Sequence, residues 1–169
     1  AELISVEAIM DAAQTMGDAK EALKLIVMHS AVETRLSKLD LIDFRPDSEA
    51  KGAWFKYYAG YRVHVSDQVP VIAGTNRVRY HSYLFGADAF GWAEHAPAKP
   101  VAVEEDESAG DGAGVETLWT RRQYALHPYG VKWTDTSVGA EFPTNAELSL
   151  AANWDRTYPE RKMIPMALL

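Results

Sequence analysis

Cysteine is absent from this 169-residue chain, which excludes disulfides, thiolate nucleophiles and zinc sites built on sulfur. Stability is therefore expected from packing and oligomerisation, and a reducing compartment suits the chain as well as an oxidising one. Positive charge is scarce: 17 Lys and Arg stand against 24 Asp and Glu, a formal net charge of -7. A protein that neutralises phosphates along a nucleic-acid backbone needs basic patches, so nucleic acid is not the expected direct ligand. No apolar run approaches the roughly 20 residues that span a bilayer, and the first residues lack the basic-then-apolar layout of a signal peptide. A soluble chain without membrane contact is the expectation. Internal repeats and low-complexity tracts are missing too. Ala1 in place of a starting methionine fits either a processed precursor or a piece of a longer chain.

What is present is ordinary for a folded domain: 47% hydrophobic and 24% charged residues, in a length that buries roughly two-thirds of its unfolded surface. Ser5 to Met16 reads as a helix, with Ser5 as N-cap, Glu7 in the first turn, and Val6, Ile9, Met10 and Ala13 on one face. Gly17 ends it. Asp18 with Glu21 resembles a capping box and predicts a second helix whose stripe is Leu23, Ile26, Val27, Ala31 and Leu39. Leu25, Met28, Val32 and Leu36 widen that stripe, so an αα-hairpin with a doubly covered second helix is expected.

After Pro46-Asp47 the periodicity becomes strand-like, at Trp54 to Tyr58 and at Tyr61, Val63 and Val65 alternating with Arg62 and His64. Tyr80 to Phe85 is a dense apolar run stopped by Gly86, and Phe90 to Trp92 is a shorter one before Pro97 and Pro100. A hairpin follows: Val101 to Asp106 runs out, Gly110 to Gly114 turns, and Val115 to Leu126 returns as one long strand. Its acidic outbound arm against Arg121 and Arg122 predicts cross-strand charge pairing. His127 to Gly130 reads as a turn and Val131 to Trp133 as a strand. Thr144 with Glu147 makes a capping box opening a helix through about Trp154, and Met163 to Leu169, broken by Pro165, reads as an edge strand. The sum is a single α+β unit over 1–169, helices first and strands later.

No constellation rises to a catalytic, cofactor-binding or metal site. Glu104, Glu105, Asp106, Glu107 and Asp111 are carboxylates that hard cations favour, but strand alternation sends them to both faces and the EF-hand order is missing, which favours a solvated hairpin tip or intersubunit contact. His64 with Asp67, and His81 with His95, lack metal-ligand spacing. Ser30 lacks the flanking glycines of a nucleophile elbow, and Gly86 to Gly91 lacks the Lys-Ser/Thr of a phosphate loop. Trp54, Tyr57, Tyr58, Trp92, Trp119 and Trp133 are many large aromatics for so small a core, which favours an assembling protein.

Five blocks then fall in one order. Gly17-Asp18 with Leu25-Ile26-Val27-Met28-His29-Ser30, Arg62 to Pro70, and Tyr80-His81-Ser82-Tyr83-Leu84-Phe85-Gly86 with Ala89-Phe90-Gly91 are the first three. Arg121-Arg122 through Leu126-His127-Pro128-Tyr129-Gly130-Val131-Lys132-Trp133 is the fourth; Pro143-Thr144-Asn145-Ala146-Glu147-Leu148 with Asn153-Trp154 is the fifth. Together they resemble the C-terminal portion of a tailed-bacteriophage major capsid protein family, over nearly the whole chain.

The resemblance implies the Hong Kong 97-like capsid fold, with the N-terminal arm, extended loop and spine helix of whole subunits lying outside this stretch. It implies an axial domain over about 1–114 and peripheral-domain strands within about 115–169. It further implies a non-enzymatic shell subunit that self-assembles into hexamers and pentamers of an icosahedral head around double-stranded DNA. Expected partners are copies of itself and scaffold, portal or decoration proteins, with packaged DNA touched only non-specifically at the inner surface. The expected location is the virion, after assembly in the bacterial cytoplasm. No matched residue carries over a crosslinking chemistry, and no cofactor is implied. Two alternatives stay open: another virion component, such as a decoration or tail protein, and a small metal-dependent hydrolase domain.

Overall fold

The computed structural model describes residues 4–46, 54–75, 77–136, 139 and 142–169. In chain order the elements begin with α1 (Val6–Gln14), β1 (Leu23–Met28), α2 (Ser30–Lys38), β2 (Asp43–Pro46), β3 (Trp54–Tyr58), β4 (Tyr61–Val65), β5 (Val71–Ala73), β6 (Val78–Tyr80) and β7 (Ser82–Gly86). There follow β8 (Phe90–His95), β9 (Val101–Asp106), β10 (Val115–Thr120), β11 (Gln123–Pro128), β12 (Val131–Trp133), α3 (Asn145–Leu148), β13 (Trp154–Arg156) and β14 (Met166–Leu168). Two compact units result: Ala1–Ala89 with Tyr129–Leu169, and Phe90–Pro128.

The first unit is organised by a six-stranded sheet in the order β14-β7-β1-β4-β3-β2. β1 sits inside it, parallel to β4 and antiparallel to β7, so both of its edges are hydrogen-bonded. One sheet face carries Ile26, Met28, Leu84 and Ala167 into a core completed by Ile9, Ala12, Ala13 and Met16 from α1 and its end, and by Leu36, Ile42 and Tyr58. The spacing i, i+3, i+4, i+7 from Ile9 to Met16 is what an amphipathic helix needs to lie on a sheet. Ser5 caps α1 as its sequence predicts, its Oγ accepting from Ala8 N at 3.1 Å. Val6 and Met10, predicted on the inner face, are exposed.

The predicted second helix is corrected. Gly17–Ala22 forms a 3-10 turn, Leu23–Met28 is the central strand β1, and only Ser30–Lys38 is helical, so there is no αα-hairpin. A short apolar run such as Leu23 to Met28 satisfies helical and buried-strand patterns alike. Burial on two hydrogen-bonded edges decides for the strand, and the extended backbone of His29 (φ -71, ψ 149) starts a new helix. Leu25 and Val27 consequently face away from Ile26 and Met28, beside Phe85 and Tyr83.

The C-terminal segment is pinned to this unit by Arg161. Its Nη1 donates to Ile164 O at 2.9 Å and lies 3.6 Å from Met16 Sδ, and its Nη2 donates to Met166 O. The apolar run is an edge strand as expected: β14 pairs with β7 and nothing pairs beyond it in that sheet among the described residues. Gly86 is required where Pro165 crosses, because a Cβ there would lie 2.8 Å from Pro165 Cβ and 2.9 Å from Ala22 O. The Thr144–Glu147 capping box forms as predicted, but α3 stops at Leu148 and Trp154 begins β13 instead of ending a helix.

The second unit, Phe90–Pro128, consists of two antiparallel ladders, β8 with β11 and β9 with β10. The predicted long strand from Val115 to Leu126 breaks at Arg121-Arg122. Arg121 N donates to Pro100 O at 2.8 Å, just ahead of the start of β9, and the ladder ends there. The predicted charge pairing is therefore absent. Arg121 Nη1 donates to Lys99 O at 3.3 Å, and the acidic arm instead sets Glu105 directly opposite Glu116.

Candidate interaction surface

The residues weighed for chemistry are used by the fold. Asp67 does not join His64, which is exposed on β4; its Oδ1 accepts from Ser30 N at 3.2 Å and lies 3.6 Å from His29 Nδ1. Hydrogen bonds from Ser30 hold the Asp67 carboxyl below its ordinary range. The His29 Nδ1 accepts from Ala31 N at 3.1 Å and so caps α2, while Ser30 Oγ stands 3.5 Å from it. A ring nitrogen committed to a backbone N–H is a cap, and the cluster ties the end of β4 to the start of α2. Sequence reasoning missed it. The available signal was the parallel pairing of β1 and β4, which places Ser66-Asp67 one step beyond Met28.

His81 stacks on Tyr83, with ring centroids 6.4 Å apart, and His95 lies opposite Gln123 on β8. Gly86 serves close packing and Gly91 lies opposite His127 in a ladder. In the acidic hairpin, Glu104 accepts from Trp119 Nε1 at 3.0 Å, and Asp106 is held below its ordinary pKa by hydrogen bonds from Ser108. Glu105, Asp106, Glu107 and Glu116 line an open, polar recess, and Asp111 lies outside that lining. No group of three or more His, Asp or Glu among the described residues is placed to hold a metal ion.

What the structure does bring together is exposed apolar surface. In an antiparallel ladder, opposed residues share a face and alternate ones change it. Phe90, Trp92, Tyr124 and Leu126 therefore form one face of the β8–β11 ladder; Trp92 and Tyr124 stack at 5.0 Å and are 61% and 65% exposed. Val101, Val103 and Leu118 share one face of the β9–β10 ladder, all more than half exposed. No residue from Phe90 to Pro128 is buried. Of the aromatics singled out by sequence, Tyr58 is in the core, Trp133 is half-buried edge-on to Trp154, and Trp54, Trp92 and Trp119 are exposed. Contiguous exposed apolar faces mark surfaces that another molecule covers.

No helix among the described residues is long and apolar enough to cross a membrane. Comparison with known proteins gives the chain its family. Residues 1–165 match the family described as Gp13-like, major capsid protein 13-like. A curated relative, the major capsid protein of Bacillus phage SPP1, is 38% identical over 163 residues, covering 95% of this chain and 48% of that protein. The chain thus spans about half the length of the curated relative it matches. The order of the five sequence blocks, the mixed helix-and-sheet architecture and these two matches agree, and the chain belongs to the Gp13-like family of major capsid proteins.

Proposed function

We propose that this chain is the C-terminal portion of a structural capsid subunit with the Hong Kong 97-like fold. The whole protein self-assembles into hexamers and pentamers of an icosahedral phage head enclosing double-stranded DNA, and has no catalytic role. In this reading an axial domain occupies about residues 1–114, and about 115–169 contributes peripheral strands. Its principal partners are copies of itself; scaffold, portal or decoration proteins join them, and DNA meets the inner surface non-specifically. The protein assembles in the host cytoplasm and resides in the virion.

One observation carries the reading beyond family membership: the 39 residues from Phe90 to Pro128 expose their apolar side chains on two-stranded ladders and bury none. Isolated two-stranded ribbons are marginal in water, whereas faces completed by neighbouring copies are natural in an obligate assembly. Net negative charge also suits a wall around DNA, since weak repulsion keeps the packaged polyanion from adhering. Electron microscopy and sedimentation velocity on the complete gene product test the proposal. Closed shells tens of nanometres across, as is usual for heads of this class, are the expected outcome; a stable monomer at all concentrations, or tubes alone, defeats it.

A further inference from the structure

Two exposed ribbons carry the same pattern with opposite sign. On one face of the β9–β10 hairpin, the apolar pair Val103 and Leu118 is followed by the acidic pair Glu105 and Glu116. All four are exposed. Like charges directly opposite one another destabilise a ladder, and neither glutamate has an ion pair among the described residues. On the β5–β6 ribbon, Ile72 lies opposite Arg79, and Arg77 precedes Arg79 by two residues and so shares its face. Ile72, Arg77 and Arg79 are exposed, and neither arginine has an ion pair among the described residues. Each ribbon lacks what the other offers: an apolar partner and two countercharges.

We propose that the β9–β10 face of one copy docks on the β5–β6 ribbon of the next, with Glu105 and Glu116 meeting Arg77 and Arg79, and Val103 and Leu118 covering Ile72. The inference rests on the capsid-subunit reading and names the contact that reading needs. The occupant is a second copy because complementary signs sit on two different surfaces of one chain. Such a contact is heterologous, and repeated head to tail it generates a ring when the rotation between copies closes, as the capsid-subunit reading requires. Complementary charge fixes register and excludes wrong pairings, while the apolar residues supply the desolvated centre.

The test is charge reversal in the complete gene product. Glu105→Lys with Glu116→Lys makes one chain, Arg77→Glu with Arg79→Glu a second, and all four changes together a third. All positions are exposed, so circular dichroism and thermal unfolding are expected to match the parent. Each reversed pair is expected to raise the concentration needed for assembly at least about tenfold. The fourfold chain is expected to assemble again. An equimolar mixture of the two reversed chains should also assemble where neither does alone, in rings of even number, because only alternation satisfies every contact. Assembly of either reversed chain at the parental concentration overturns the proposal. So does failure of either rescue, since rescue in the fourfold chain without rescue on mixing places the contact inside one molecule. If the parent chain itself forms neither rings nor shells, the capsid-subunit reading has failed instead.

Discussion

The sheet of the first unit and the ladders of the second are built from similar strands with opposite fates. Ile26, Met28 and Leu84 alternate along β1 and β7 and vanish under α1 and α2. Val101, Val103 and Leu118 alternate just as regularly along β9 and β10 and remain more than half exposed. The difference lies in what covers the strand. Alternation specifies which side chains share a face; only another layer makes that face a core. The first unit holds its second layer within the chain, whereas the second unit has strands and turns alone.

The largest effect should separate the two regions outright. Ile26→Ala empties a fully buried position in the central strand and is expected to cost about 2–5 kcal/mol in urea unfolding. Leu118→Ala, at 65% exposure, is expected to change the unassembled chain by less than about 0.5 kcal/mol. It should weaken assembly instead. Equal losses for the two substitutions would break the comparison.

Glycines sharpen it next. Gly86→Ala drives a Cβ within 3 Å of Pro165 Cβ and Ala22 O, one of them backbone that cannot swing aside, and is expected to cost about 1–3 kcal/mol. Gly91→Ala meets nothing nearer than His127 O at 3.8 Å and is expected to be nearly silent. Thermal melting of both variants decides; a silent Gly86→Ala would mean that the β14 segment is not held where Arg161 and Pro165 place it.

Charge distinguishes the regions more gently. In the first unit, Lys56 Nζ donates to Glu33 Oε1 at 2.5 Å, and this bond, helped by Ser37, holds the Glu33 carboxyl below its ordinary range. A lowered folded pKa means stability that is fully present above the unfolded value and is lost as pH falls through the folded one. Glu33→Gln should therefore lose about 1 kcal/mol near neutrality, an amount modest because Lys56 is 39% exposed. The loss should shrink as pH falls below the ordinary value of 4.5. Glu105→Gln, by contrast, relieves an opposed like-charge pair and should leave the unassembled chain no less stable. A loss at Glu105 as large as that at Glu33 would show that the hairpin carboxylate already has a partner.

Local signals were legible in the sequence because they need no distant partner. Ser5 and the Thr144–Glu147 box cap the helices they were expected to cap, and the alternation at Tyr61 to Val65 and Val101 to Asp106 marks strands. The failures share a cause. Leu23 to Met28 fits helix and buried strand equally until β4 and β7 claim its two edges, one of them from about 40 residues downstream. The break at Arg121-Arg122 is set by Pro100 across the ladder, and the His29–Asp67 contact by parallel pairing. The interaction surface was legible only as an excess of aromatics. Which of them are exposed depends on layers that composition does not encode: Tyr58 is buried while Trp92 is 61% exposed.

Tyr58 supplies the smallest test, because it asks whether the covered region is optimised in every atom. The residue is 2% exposed within the core of the first unit, yet its hydroxyl has no hydrogen-bond partner among the described residues. Burial pushes the phenol pKa up, as expected for a group whose charged form would be desolvated. A buried hydroxyl without a partner has lost its hydration for nothing, so Tyr58→Phe keeps the packing and removes the penalty. The expected change is a gain of up to about 1 kcal/mol in chemical denaturation. Tyr124→Phe, 65% exposed on the β8–β11 face, should change nothing in the unassembled chain. A loss exceeding about 1 kcal/mol at Tyr58 would mean that its hydroxyl is hydrogen-bonded after all. A gain would show that the core tolerates a defect while its stability comes from the apolar layer around Ile26, which is the layer that residues 90–128 lack.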